Sequence, residues 1–285
     1  MEAKPIDAGE FREKQRDTWD DAAAGWRKWS TFIDKFTGAV SERLVEMAGI
    51  KPGDRVLDVA AGYGEPSLTA ARKAGPEGSI VATDISAEML EFGRERAAEA
   101  GLENVEFVQS DAISLDYPAD SFDAAVSRWG IIFEPDGEGA AAKVHGFLRP
   151  GGRFAISSWG PPERVPFLAM PMRTAMERLD VPPPPPGTPG PLSRPTEEAL
   201  GGLLKSGGFD DVDVEELELN GEWESPEEFT TFTRSIHAPV IAMIASQPED
   251  VQRDTWAAIT DTIREGAGDG PIRLTSLALV ATGRA

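Results

Sequence analysis

Apolar positions along this chain fall into two rhythms, and the switches between them outline its elements. From residue 8 to 48 they recur at helical spacing, with Trp19, Trp26 and Trp29 on one face. From Pro52 to Trp159 short apolar runs alternate with amphipathic stretches; the runs are Val56–Ala61, Ser79–Asp84, Asn104–Gln109, Phe122–Trp129 and Arg153–Trp159. Strand and helix in that alternation predict a doubly wound parallel sheet. Ser86 is a good N-cap and Gly101 a good C-cap for one of the helices, and another is expected over 137–148 before the turn residues Pro150, Gly151 and Gly152.

After Trp159 the pattern changes. The proline-rich run Val181–Pro191 cannot be helix interior or central strand, so it reads as a strap, partly polyproline II. Thr196 caps a helix ending near Gly207, and a strand follows over 212–219. Ser225, Pro226 and Glu228 supply an N-cap, an N1 proline and a capping-box acid for a helical stretch running through His237 to Gly266. The last segment, Ile272–Arg284, reads as an antiparallel strand closing the sheet. The expectation is an α/β fold with a seven-stranded, mostly parallel sheet. Residues 1–50 form a helical cap, and 51–285 form the sheet domain with roof insertions at 160–195 and 224–268.

The chemistry concentrates at Arg55–Ser67, R-V-L-D-V-A-A-G-Y-G-E-P-S, a strand running into a tight loop and then a helix with Pro66 in its first turn. Gly62 and Gly64 permit a sharp turn and let a ligand approach backbone N–H groups. Asp84 ends the next strand, at the reach where a carboxylate accepts ribose hydroxyls, and Asp58, Asp84 and Asp111 all fall at carboxyl ends of successive strands. That arrangement describes a nucleoside site. A nicotinamide dinucleotide is the alternative ligand, but its fingerprint wants a third glycine where Ser67 stands, and Glu65 would repel a pyrophosphate.

The stretches D-V-A-A-G-Y-G-E-P-S, T-D-I-S-A-E-M-L, Q-S-D-A and L-R-P-G-G-R-F together resemble the class I S-adenosylmethionine-dependent methyltransferases, especially small-molecule enzymes similar to the ubiquinone/menaquinone-biosynthesis C-methyltransferases. The likeness covers Val56–Trp159. It implies a Rossmann-like methyltransferase fold, S-adenosylmethionine as cofactor and S-adenosylhomocysteine as product. It also implies a cofactor site at Asp58, Ala60, Gly62, Gly64, Asp84, Ile85, Met89, Asp111, Ala112 and Ser127. In that site Asp111 takes the adenine amino group and the Ala112 N–H a ring nitrogen, with Asp111 as a turn-capping residue the competing reading. An N-terminal helical segment closes over the cofactor in such enzymes, and Trp26 or Trp29 would flank its methionine part, unless the tryptophan stripe only packs.

Composition narrows the partners. The net charge of −21, from 28 Lys+Arg against 49 Asp+Glu, would repel a phosphate backbone, so no nucleic-acid partner is expected. Cysteine is absent, no metal motif is present, and no apolar run is long enough to span a membrane, so a metal-free cytoplasmic protein is expected.

Arg128 and Trp129, at the end of the fourth strand, are the candidates for acceptor binding, Arg128 for an acidic group, and Tyr63 is a candidate for positioning. His237 is the candidate base, with a packing role its competitor, and His145 is read as a packing histidine. The apolar residues of the roof, Phe167, Leu168, Met170, Phe232 and Ile236 among them, would line a pocket for an apolar or aromatic acceptor or else form a homodimer interface. A methyltransferase leads; a nicotinamide-dependent oxidoreductase and a cofactor-binding protein without turnover are the other readings.

Overall fold

The computed structural model describes residues 7–185 and 187–285; residues 1–6 of the expected cap and Pro186 of the proline run lie outside it. The chain opens with α1 (Ala8–Met47), whose N-terminus is capped by the Asp7 carboxylate. Its 40 residues are held as one helix by a stripe that includes Ile33, Phe36, Val40 and Leu44, all buried. Burial of this face, more than intrinsic helix propensity, stabilises so long an element.

The alternation that follows is β1 (Arg55–Val59), α2 (Ser67–Ala74), β2 (Ser79–Asp84), α3 (Ala87–Glu99), β3 (Val105–Gln109), β4 (Phe122–Ser127), α4 (Gly137–Phe147) and β5 (Leu148–Trp159). Then come α5 (Pro166–Leu179), α6 (Glu197–Ser206), β6 (Asp210–Trp223), α7 (Pro226–Ile236), α8 (Ala238–Ala245), α9 (Glu249–Ala267) and β7 (Ile272–Arg284). Among the described residues the strands form one seven-stranded sheet in the order β3-β2-β1-β4-β5-β7-β6. β1 to β5 run parallel, and β7 inserts antiparallel between β5 and β6. The order reverses beside β1, where β2 lies on one side and β4 on the other, and open α/β sheets take ligands at the carboxyl ends there.

Ser86 caps α3 by accepting the Met89 N–H, and Gly101 follows the helix end with a left-handed φ of 67°, as its sequence position requires. β5 and β6 extend beyond the expected runs 153–159 and 212–219, and three other features differ from the pattern reading. Pro66 sits at the N-cap of α2 rather than inside its first turn, because Ser67 opens the helix with its hydroxyl turned inward to Asp58. The helical stretch after Ser225 is three helices, broken at His237 and before Pro248; Pro239 and Pro248 each lack the N–H that helix continuation needs. The first roof insertion is a helix, α5, followed by a strap with neither helix nor strand over 181–185 and 187–195. The strap is pinned where Gly190 N–H and Ser193 hydroxyl both donate to the Ile132 carbonyl.

The roof packs on α1 through a close backbone crossing. A Cβ added to Gly25 would lie 1.8 Å from the Ser235 carbonyl oxygen in α7. Gly25→Ala tests this contact. An alanine in a helix gains about 1 kcal/mol of propensity, whereas overpacking against backbone costs about 1–3 kcal/mol. The expected outcome is net destabilisation, seen as a lower urea midpoint with unchanged slope; a higher midpoint would mean that α1 and α7 do not touch here.

Candidate functional site

Above the carboxyl ends of β1, β2, β4 and β5 lies a cavity closed by α1, α5, α7 and α8. Two backbone positions at its floor adopt left-handed φ values without glycine: Ala60 (59°), after β1, and Trp129 (52°), after β4. Conformations of that kind cost of order 1–3 kcal/mol each and persist where surroundings over-determine them. Here the Trp129 N–H donates to the Ser157 hydroxyl at 3.0 Å, and neighbouring Gly130 lies so close to Ala60 that a Cβ would meet the Ala60 methyl at 2.4 Å.

On the β2–β3 side the cavity is polar. Asp84 is buried, and its carboxylate accepts the Gly62 N–H at 2.8 Å and the Ser86 N–H at 2.8 Å, so it braces the glycine loop and the start of α3 together. Burial pushes its carboxyl up to about 6, against the lowering effect of those N–H groups. Gly62 has a φ of 53°, and a Cβ placed on it would meet nothing within 4 Å, leaving open space over the loop. Ile85, Met89, Asp111 and Ala112 line the same end. One Asp111 oxygen accepts the Ser114 N–H at 2.8 Å, so this side chain caps its turn while lining the cavity.

Three residues assigned to the cofactor by resemblance lie behind the lining. Asp58 is completely buried; one oxygen accepts the Ser67 hydroxyl at 2.6 Å, the other has no partner among the described residues, and burial pushes the carboxyl up to about 7. Gly64 faces α3, where a Cβ would meet Gly93 Cα at 3.4 Å. Ser127 donates to the Val59 carbonyl and accepts the Ile131 N–H, tying β4 to β1.

The β4–β5 side is aromatic. Trp129 stacks on Trp159 with centroids 4.3 Å apart, and Phe36, Phe167, Leu168, Phe232 and Ile236 extend the wall. Of the α1 tryptophans, Trp19 and Trp26 line the cavity, while Trp29 turns to Phe32 and Phe232. The other apolar roof residues are occupied within the chain: Phe229, Val240 and Ile244 are buried, and Met172, Ile241 and Met243 pack around Trp256 and Ile259. Arg128 is buried at the cavity edge and donates to the hydroxyls of Thr37, Ser41 and Tyr63. Tyr63 in turn donates to Asp34 at 2.9 Å, and burial holds its hydroxyl protonated, up to about 12.

His237 sits at the break between α7 and α8, buried and facing the cavity. Its Nε2 lies 3.1 Å from the Leu168 carbonyl, which only accepts, so Nε2 carries the proton and Nδ1 the lone pair. Nδ1 has no partner among the described residues, and burial pulls the imidazole down to about 4. His145 packs edge-on against Phe209, away from the cavity.

Sequence reasoning passed over the outer rim. Arg12 grips both Glu134 oxygens, and the Ser86 hydroxyl donates to Asp20 at 2.6 Å, so the first turns of α1 are latched across the polar end. Arg12, Gln15, Phe133 and Glu134 all line the cavity, yet partners 122 residues apart leave no local signal.

A family model described as a methyltransferase domain matches residues 50–178. Over that stretch the chain is similar to methyltransferase domains, and its seven-stranded sheet has the Rossmann-like fold of such enzymes. It is 32% identical over 163 residues to the ubiquinone/menaquinone biosynthesis C-methyltransferase UbiE of Teredinibacter turnerae, covering 55% of this chain and 64% of that protein. It is 35% identical over 143 residues to the aklanonic acid methyltransferase DauC of a Streptomyces species, covering 47% and 65%. The chain thus spans just under two thirds of the length of either relative. A phosphoethanolamine N-methyltransferase from Haemonchus contortus, solved with S-adenosyl-L-methionine, superposes with a TM-score of 0.60 at 18% identity over 96% of this chain and 60% of that one, a likeness of fold. No described helix is long and apolar enough to cross a membrane.

The desolvated imidazole predicts a pH dependence. Above about pH 6.5 His237 is neutral in folded and unfolded chains alike. As the pH falls from 6.5 toward 4, the unfolded chain binds a proton that the folded one refuses, so stability drops by about 1.4 kcal/mol per unit. Asp58 and Asp84, held up at about 7 and 6, act in the opposite sense over an overlapping range, so the comparison must cancel them. Relative to His237→Gln, wild type is expected to lose stability by up to a few kcal/mol between pH 6.5 and 4, measured by chemical denaturation. A pH-independent difference would mean that the ring is hydrated.

Proposed function

We propose that this protein transfers a methyl group from S-adenosylmethionine to a small, apolar or aromatic acceptor. The observation that carries this reading is the joint setting of Asp84: a buried carboxylate at the switch point, bracing a glycine loop that has open space above Gly62. The residues fit such a nucleoside. Asp84 has oxygen lone pairs left for ribose hydroxyls, and Asp111, Ala112, Ile85 and Met89 offer a half-polar, half-apolar slot for adenine. Trp26, whose indole N–H has no partner among the described residues, and Ala60, both of which line the cavity, would hold the methionine part. Asp58, Gly64 and Ser127 serve one step back, shaping the loop and joining β1 to β4. The names of the relatives, one for ubiquinone/menaquinone biosynthesis and one for aklanonic acid, support a small-molecule acceptor.

When bound, the cofactor supplies an electrophilic methyl group on a positively charged sulfur. The chain then has to orient the acceptor and keep water out. The Trp129–Trp159 stack and the Phe36, Phe167 and Phe232 rings give a planar molecule a fixed seat, and the roof helices and α1 cover it. Nδ1 of His237 is the basic atom the roof presents, and it takes the proton that a hydroxyl acceptor releases on methylation. The low basicity of the ring suits a proton that becomes strongly acidic only as the new bond forms.

Two variants test the cofactor half. Asp84→Ala removes charge-assisted hydrogen bonds of roughly 1.5–3 kcal/mol each and frees the glycine loop, so affinity for S-adenosylhomocysteine should fall on the order of a hundredfold or more by calorimetry. Gly62→Val fills the space over the loop and should abolish binding. Wild-type affinity in either folded variant would remove this loop from the site.

A further inference from the structure

We propose that Arg128 is a carboxylate receptor and that the acceptor seated in this cavity is an aromatic acid. The inference rests on the methyltransferase reading and names its substrate class. Arg128 stands apart from the other arginines. It is the one arginine among the described buried residues, at 8% exposure, and it lines the cavity. Arg12 and Arg96, more exposed than Arg128, meet the carboxylates of Glu134 and Asp34. Among the described residues Arg128 meets none. Its Nη1 donates to Thr37 Oγ1 and Ser41 Oγ, both at 3.1 Å, and its Nη2 to the Tyr63 hydroxyl at 2.9 Å.

All three acceptors are neutral oxygens. Carboxylates act on Arg128 only from a distance: Glu65, which bonds Thr69, Asp58, which bonds Ser67, and Asp34, which is reached through the Tyr63 hydroxyl and is paired with Arg96. A guanidinium has five N–H donors, so the Nε–H and the second Nη2–H remain without an acceptor among the described residues. A desolvated cation with donors to spare is costly unless a counter-charge completes it, and a carboxylate matches a guanidinium edge with two parallel bonds.

What surrounds it selects the rest of the molecule. Trp129 and Trp159 stack beside Arg128, with Phe36 and Phe167 in the same wall, so the partner is a planar ring bearing the charge. Two carboxylates could reach this residue, the acceptor's and the one on the methionine part of the cofactor. The sheet order favours the acceptor: Arg128 follows β4 and neighbours Trp159 of β5, whereas Asp84 and Asp111 lie across β1, at β2 and β3.

Calorimetry on the intact protein decides between them. Wild type and Arg128→Met are titrated with S-adenosylhomocysteine and with 5′-methylthioadenosine, which lacks the amino acid. Each is then titrated, saturated with S-adenosylhomocysteine, with salicylate and 2-naphthoate and with their uncharged carboxamides. The expected result is at least a tenfold preference of wild type for one acid over its amide, lost in Arg128→Met, with affinity for S-adenosylhomocysteine changed less than threefold. If Arg128→Met does not fold, the wild-type preference and its weakening in Arg128→Lys, which keeps the charge but not the paired donors, stand in its place. Equal binding of acids and amides by wild type overturns the proposal. So does a loss of S-adenosylhomocysteine binding in Arg128→Met with 5′-methylthioadenosine unaffected, which would give the guanidinium to the cofactor. Failure of wild type to bind S-adenosylhomocysteine at all would sink the methyltransferase reading, and this proposal with it.

Discussion

The Tyr63 hydroxyl, fixed between Arg128 and Asp34, ties three distant parts of the chain together at one atom. Tyr63 belongs to the glycine loop, Arg128 to the end of β4 and Asp34 to α1, and Arg96 of α3 reaches both Asp34 and the Tyr63 carbonyl. Because the phenol is buried and stays protonated, it can donate to the carboxylate and accept from the guanidinium at once. The ring adds contacts of its own, with Trp26 at 5.5 Å and Phe92 at 6.2 Å. Loss of this one hydroxyl would loosen the loop, the first long helix and the acceptor side together.

Charge is distributed against the overall balance of the molecule. The surface is strongly acidic, yet the cavity has the buried Arg128 guanidinium on one side of β1 and the buried Asp84 carboxylate on the other. Desolvation pushes Asp58 and Asp84 up toward neutrality and His237 down, whereas Arg128, against the pull of its own desolvation, is held charged by Tyr63, Glu65 and Asp34. A nucleoside on the Asp84 side and an anionic acceptor beside Arg128 would complement that arrangement. At long range the net charge would slow the arrival of an acid, and it is short-range pairing that would hold it.

The roof does two jobs with one set of apolar residues. Phe167, Leu168, Phe232 and Ile236 face the cavity, while Val240, Ile244, Ala175, Trp256 and Ile259 form a small core of their own. That separate core lets α5, α8 and α9 keep their shape without borrowing the sheet's interior, and His237 marks the joint between the two groups. Pairing of copies through this surface would have to use the half-buried remainder, such as Met172 and Met243.

Local pattern was enough for the elements and for the glycine loop. Alternating periods gave the sheet and its flanking helices, Ser86 and Gly101 marked a helix at both ends, and the spacing from the glycine loop to Asp84 placed a carboxylate at the switch point, because each of these depends on residues close in sequence. The breaks at Pro239 and Pro248 were also written there and were read through. The tertiary structure alone decided the rest. Whether Asp58 or Asp84 faces the cavity depends on which side of a strand meets Ser67 or the loop, and the clasp of Arg12 on Glu134 joins residues far apart in the chain. The pairing of Arg128 with hydroxyls rather than with a carboxylate could not be read from its neighbours in sequence either. It follows from which hydroxyls of α1 pack over β4, a matter of three-dimensional burial rather than of local propensity.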